Sequence, residues 1–266
     1  MIAVVILSAG ESRRMGQPKA LLSFPETFSF ESAREIKSWP AAQAVDEALP
    51  SSGQASVAPT KTKSKPNAGR FGFMQRKSEI AADTKPKTFL EHLIEVTRHP
   101  RADALRVVVG AHAAEIRARV KLPDGAIVVN ENWANGQLSS LQAAIRSLPA
   151  GETEGMLVCL VDHPLISAPL VSTLIETFDR AKNKIVIPTH RGRRGHPVIF
   201  PRALYAELLA APENAPQSAR ENTPQNIGAR AVVRAHAEDV LEIPVEEEGI
   251  VLNLNDPSTL ERIKQD

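Results

Sequence analysis

Residues Leu7 to Leu22, LSAGESRRMGQPKALL, gather two glycines, two arginines and a lysine directly after a short apolar run. Gly10 and Gly16 let the backbone curl so that successive amide N–H groups face inward as an anion nest. Arg13, Arg14 and Lys19 add charge-assisted donors suited to phosphate oxygens. Neither GxxxxGK[ST] nor GxGxxG is present, so the P-loop and dinucleotide fingerprints do not apply. Taken alone, the stretch also fits a surface loop with incidental cations. Asp162 follows the apolar run MLVCLV directly. That places a carboxylate on the rim at the end of a strand, where a hard oxygen can hold Mg²⁺ against a polyphosphate. Capping the next helix is the other use of an aspartate there. His163 points the opposite way if strand alternation persists, which makes it a bystander.

These residues need a scaffold that brings strand ends together. Ile2–Leu7 is a β-branched run that predicts a strand buried on both faces. Thr88 and Glu91 have capping-box spacing ahead of a helix whose stripe is Leu90, Leu93 and Ile94. Strands follow from Ala104, Ala126 and Gly155, with helices from Ala113, Ser139 and near Pro169–Ala181. KIVIP, HPVIF and LEIPV add strands, with helices near Ala203–Ala210 and Gly228–His236. PSTLERIKQ closes the chain as a helix with proline in its first turn. Strands alternating with helices predict an α/β fold with a mostly parallel central sheet and helices on both faces. Ligands in such sheets lie beyond the carboxyl ends of the strands.

The 266 residues are expected to form a single domain, with 24–86 as a flexible insertion rich in Pro, Ser, Lys and Ala and poor in periodicity. Hydrophobic content of 42% and charge of 24% are ordinary for a globular chain. A net charge of +1 provides no global field for nucleic acid or a membrane surface, so anion binding has to be local. The lone cysteine, Cys159, excludes an internal disulfide and a cysteine-rich zinc site, and its apolar setting predicts a buried small hydrophobe. No run reaches the roughly 18 apolar residues of a membrane span, and IAVVIL is too short and unflanked for a signal peptide. The expectation is a cytoplasmic protein without nucleic-acid or membrane partners.

The opening stretch resembles the signature loop of the MobA-like nucleotidyltransferases, roughly L-x-A-G-x-S-x-R-M-G-x-x-K-x-L-L, at every fixed position. WANGQLSSLQAAI resembles that family's W-x-x-G-x-x-x-S-L segment, and VCLVDHPLI its strand ending in D-x-P. RGRRGHPVIF resembles the G-H-P segment of the cytidylyltransferase branch, whose members attach CMP to molybdopterin-type cofactors. VLNLNDPSTL is similar to the family's closing [DN]-x-[DN]-T-P-x-D-L. The resemblance implies a Rossmann-like nucleotidyltransferase fold and Mg²⁺-dependent transfer of NMP from an NTP, CTP by preference, with release of pyrophosphate. A molybdenum hydroxylase would then receive the product.

Carried onto this sequence, the resemblance implies that Leu7, Ser8, Ala9, Gly10, Gly16 and Lys19 hold the nucleotide, together with Gly136, Ser139 and Ser140 ahead of a helix. Arg13 assists departure of pyrophosphate, and Lys19, Arg13 and Asp162 form the catalytic set. Asp162 and Asn255 bind the metal, with Asn253 on the same side of its segment. Arg193, Arg194, Gly195 and His196 bind the acceptor. Asparagines at 253, 255 and 226 depart from the aspartates usual in that branch, and the role of Asp256 is open. The nucleophile would be a phosphate monoester, largely dianionic because its second pKa is about 6, so no general base is needed. Positive charge in a preorganised site addresses the repulsion between the anions. Two other readings stay open: the same chemistry on a sugar or alcohol phosphate, and a non-catalytic carrier or chaperone of the molybdenum cofactor.

Overall fold

The computed structural model describes residues 1–24, 86–149, 151, 153–212, 228–255 and 257–265. Its centre is strand β1 (Ile2–Ser8), buried along its whole length. Alternation divides its side chains: Ile2, Val4 and Ile6 enter one core, while Ala3, Val5 and Leu7 enter the other. A strand apolar on both faces must be covered on both.

β1 pairs in parallel with β2 (Ala102–Val109) and β4 (Gly155–Leu160), and β3 (Ile127–Val129) extends the parallel side beyond β2. On the other flank β7 (Val198–Pro201) runs antiparallel between β4 and β5 (Ile185–His190). β6 (Arg193–Arg194) forms a short antiparallel hairpin with β5, and β8 (Val240–Pro244) lies parallel to β5. The order is β3-β2-β1-β4-β7-β5-β6, with β8 also on β5. The predicted mostly parallel sheet is therefore present, with β7 and β6 as its antiparallel members.

One core is completed by α1 (Phe89–Val96), α2 (Ala113–Arg119), α4 (Ala168–Arg180) and α7 (Pro257–Gln265), through residues such as Leu93, Ile116, Leu174 and Leu260. The other is completed by α3 (Gln137–Ser147), α5 (Tyr205–Ala210) and α6 (Ala229–Ala235), through Leu141, Leu208 and Val232. The capping box ahead of α1 forms: Thr88 Oγ1 accepts from the Glu91 amide at 3.2 Å and Glu91 Oε2 accepts from the Thr88 amide at 2.8 Å. Cys159 is buried in β4, where desolvation pushes its thiol up to about 12. No helix among the described residues is long and apolar enough to cross a membrane.

The expected insertion, 24–86, lies outside the described residues except for Phe24 and Pro86, and Asn226 and Asp256 lie outside them as well. Its flanks are side by side: the Phe24 amide donates to the Lys87 carbonyl at 2.7 Å, and Ser23 and Thr88 form an antiparallel bridge.

Candidate functional site

Because β1 and β4 are parallel neighbours with Leu7 opposite Leu160, their carboxyl ends finish together. The Val161 amide donates to the Leu7 carbonyl at 3.1 Å and carries that register one step past the strand. After β1 the chain folds back through two 3-10 turns, Arg13–Met15 and Lys19–Leu21. The left-handed residues are Ser12 (φ 54°) and Gly16 (φ 67°). Gly10, expected to supply the curl, has no positive φ, and a Cβ there would meet no protein atom within 4 Å. Neither backbone strain nor crowding requires that glycine, which leaves an open approach to the main chain.

The Lys19 amide donates to Ser12 Oγ at 3.2 Å, so the doubled-back loop is tied to itself. This turns the lysine side chain toward β4. Lys19 Nζ lies 3.4 Å from Asp162 Oδ2 and also donates to Asn255 Oδ1. Asn255 arrives because the Leu254 amide donates to the Asp162 carbonyl at 2.8 Å. The structure thus brings together positions 19, 162 and 255. A cleft of about 1300 Å³ is lined by Lys19 and Asp162 but not by Asn255, and also by Leu7 to Gly10 and by Arg193 to His196. Asn253 lines it as well.

Other expected residues are placed differently. Arg13 is 79% exposed, paired with Glu11 at 2.7 Å, and neither it nor Gly16 lines the cleft. Ser139 and Ser140 lie in the first turn of α3 rather than ahead of it, because the helix begins at Gln137. Gly136 and Ser140 line the cleft, but Ser139 does not. The Ser139 hydroxyl accepts from Asn130 Nδ2 at 2.9 Å and faces the carbonyls of Asn132 and Gly136 at 2.9 and 2.8 Å. It braces the turn that carries Trp133. No side chain caps α3, so the first amides of the helix lack a capping partner beside the cleft that Gly136, Gln137 and Ser140 line.

Ahead of Arg193, Arg191 (φ 48°) and Gly192 (φ 76°) form the tight turn between β5 and β6. Arg194 Nε donates to Glu242 on β8 at 2.7 Å. Gly195 is required by close approach, since a Cβ would stand 2.5 Å from the Ile250 carbonyl oxygen. The imidazoles of His163 and His196 lie with ring centroids 5.3 Å apart, and the Nδ1 of each is buried without a hydrogen-bond partner among the described residues. Burial and the neighbouring His163 push His196 down to about 4, and burial likewise lowers His163. Both rings are therefore neutral near pH 7, and the positive charge here comes from arginines.

The expectation that His163 points away from the site is corrected. β4 ends at Leu160, and the His163 amide closes a turn onto the Leu160 carbonyl at 3.0 Å, so strand alternation has lapsed. His163 lines the cleft, as do Arg230 and Arg234 of α6. Sequence reasoning did not include these three among the site residues. Arg230 and Arg234 have i, i+4 spacing on a short helix, a pattern that places both on one face.

Two hard oxygens, Asp162 Oδ2 and Asn255 Oδ1, converge on one ammonium group, which stands in for a cation. No cluster of three or more His, Cys, Asp or Glu able to hold a metal occurs among the described residues. The donor set fits a divalent ion that shares its remaining coordination with phosphate and water, the usual arrangement for Mg²⁺.

The profile of the MobA-like NTP transferase domain matches residues 67–240. The chain belongs to the MobA-like NTP transferase family. The matched span starts beyond β1 and its loop, which the stretch 25–85 separates from the rest. A curated relative, nicotine blue oxidoreductase of Paenarthrobacter nicotinovorans, is 29% identical over 123 residues, spanning 44% of this chain and 59% of that protein. The fold is similar to Rv0371c of Mycobacterium tuberculosis (TM-score 0.62, 18% identity, 100% of this chain and 97% of that one). A further structure of Rv0371c is a complex with manganese. Molybdopterin-guanine dinucleotide biosynthesis protein A of Archaeoglobus fulgidus is also similar (TM-score 0.54, 14% identity, 99% and 97% coverage).

Proposed function

We propose that this protein transfers a nucleoside monophosphate, CMP from CTP, to the terminal phosphate of a molybdopterin-type cofactor and releases pyrophosphate. The observation that carries the reading is the meeting of Lys19, Asp162 and Asn255 at the joint carboxyl ends of β1 and β4, beside an open glycine loop. The base preference rests on the likeness of RGRRGHPVIF to the cytidylyltransferase branch.

In this reading the triphosphate lies along the Ser8–Gly10 amides, with the amino end of α3 adding main-chain donors. Lys19 neutralises its phosphates. Asp162 and Asn255 would hold Mg²⁺, which when bound supplies positive charge to the reacting phosphate and the leaving group. The acceptor occupies the arginine end of the cleft, where Arg193, Arg194 and Arg230 offset the charge of its phosphate. Gly195 and the His163–His196 pair line the cleft beside these arginines. Arg13, paired with Glu11 in solvent, reaches pyrophosphate only by leaving that partner. A protein of this kind works in the cytoplasm and passes its product to a molybdenum hydroxylase.

The test is pyrophosphate release from CTP, GTP and ATP, with and without Mg²⁺, in the presence of molybdopterin or of sugar phosphates. The expected result is Mg²⁺-dependent release with CTP and molybdopterin. Release driven by a sugar phosphate alone would reassign the acceptor. No turnover with any pair, together with tight molybdopterin binding, would establish a carrier instead.

A further inference from the structure

Lys19 occupies the two oxygens that the proposed function assigns to the metal. Its side chain is 14% exposed, its amide is tied to Ser12, and its Nζ contacts Asp162 Oδ2 and Asn255 Oδ1 together. We infer that Lys19 and the divalent ion compete for Asp162 and Asn255, so that the metal site becomes available only when nucleotide draws the lysine away. This inference rests on the proposed function and adds an order of binding to it.

The argument is one of charge and space. An ammonium and a divalent cation cannot share two oxygens at contact distance, since like charges in a partly buried site repel strongly. Asn255 makes the competition sharper. An amide oxygen carries no net charge, so the pair of ligands offers a single negative charge, which one lysine already balances. With a second carboxylate, the pair would keep one uncompensated charge to recruit a metal against the lysine. A triphosphate reverses the balance in two ways. Its oxygens attract the ammonium along the Ser8–Gly10 loop, and they bring additional negative charge and ligand atoms to the ion. Lys19 therefore serves as a resident cation that keeps the carboxylate and the amide ordered and discourages metal from binding alone. Metal and nucleotide then enter as a unit.

The test measures Mn²⁺ binding directly, by the loss of the free-ion electron paramagnetic resonance signal, which reads no catalysis. Wild-type protein is titrated with Mn²⁺ alone and with Mn²⁺ in the presence of CTP or GTP, corrected for the ion's affinity for free nucleotide. Lys19→Met, which keeps the aliphatic stem and removes the charge, is titrated with Mn²⁺ alone after circular dichroism and melting confirm its fold. The expected result is weak binding to wild type alone, at least tenfold tighter binding to Lys19→Met alone, and loss of that gain in Lys19→Met/Asp162→Asn. In wild type, nucleotide should produce at least the same tenfold tightening. Equal Mn²⁺ affinity for wild type and Lys19→Met, with nucleotide-dependent binding intact, would overturn the competition and leave the proposed function standing. Absence of Mn²⁺ binding in every arm, nucleotide included, would overturn the metal assignment and the function with it. The wild-type arms need no variant, so equal Mn²⁺ affinity with and without nucleotide also refutes the inference if Lys19→Met fails to fold.

Discussion

Lys19 has one side chain and two tasks. It rests on Asp162 and Asn255 in this structure, and the proposed function has it meet phosphate when nucleotide is present. Its partner atoms come from two other segments, at the end of β4 and just before α7. Replacing it with alanine should lower turnover by about 10²–10³, the scale on which removing one preorganised donor to developing charge is felt. Circular dichroism should show the wild-type fold, because the lost contact lies on the rim and outside both cores. Wild-type pyrophosphate release from Lys19→Ala would end the assignment. At the same scale, Arg13 stands apart from Lys19. Its place in a loop dense with phosphate-binding residue types says nothing about direction, and its guanidinium turns outward to Glu11.

The segment from Glu247 to Asn255 decides whether the site exists, although its sequence shows no strong periodicity. The His196 amide donates to the Ile250 carbonyl at 2.9 Å, and three further contacts anchor the segment. Glu247 accepts from the Ser167 amide and hydroxyl at 2.7 Å each, at the amino end of α4. Gly249 packs so closely on the turn after β4 that a Cβ would stand 1.5 Å from the Leu165 carbonyl oxygen. Leu254 then bonds to Asp162 and delivers Asn255. Gly249→Ala should therefore displace the segment, cost about 3 kcal/mol or more by overpacking, and lower nucleotide-dependent metal binding at the same time. Chemical denaturation and Mn²⁺ titration of the same sample would check both. A variant as stable as wild type would show that the approach relaxes without cost. Gly110 is a second case, since its Cβ would stand 2.6 Å from both the Ala9 carbonyl oxygen and Trp133 Cβ, which packs the turn before α3 against the β1 loop.

At the scale of the whole molecule, acid is the clearest stress. His92 is buried in the core, faces the Ile166 carbonyl at 3.3 Å and stacks on Phe24, and desolvation lowers it to about 4. His196 is lowered to about 4 by burial and by His163. The unfolded chain takes up protons on these rings near 6.5, while the folded chain refuses them until about 4. Stability is therefore unaffected by them above pH 6.5 and is lost as pH falls from 6.5 toward 4, by about 1.4 kcal/mol for each unit of displacement. Glu247, raised by burial against its two Ser167 donors, works in the opposite sense, because the folded state takes up its proton first. Urea unfolding between pH 7.5 and 4.5 should show a falling midpoint, and His92→Phe should flatten that fall. An unchanged slope in the variant would place the acid sensitivity elsewhere.

The sequence by itself determined the α/β class, the position of nearly every strand and helix, and the capping box at Thr88. These are local matters: periodicity, caps and turn chemistry act over a few residues and leave their mark in order along the chain. Only the tertiary structure decided that β7 runs antiparallel between β4 and β5, that His163 turns into the cleft after β4 ends, and that Ser139 braces a loop. It also decided that α6 brings Arg230 and Arg234 to the cleft, and that Lys19 rests on Asp162 and Asn255. Those outcomes depend on which strand ends finish side by side, and strand pairing is set by burial on both faces of a sheet rather than by any single stretch of residues.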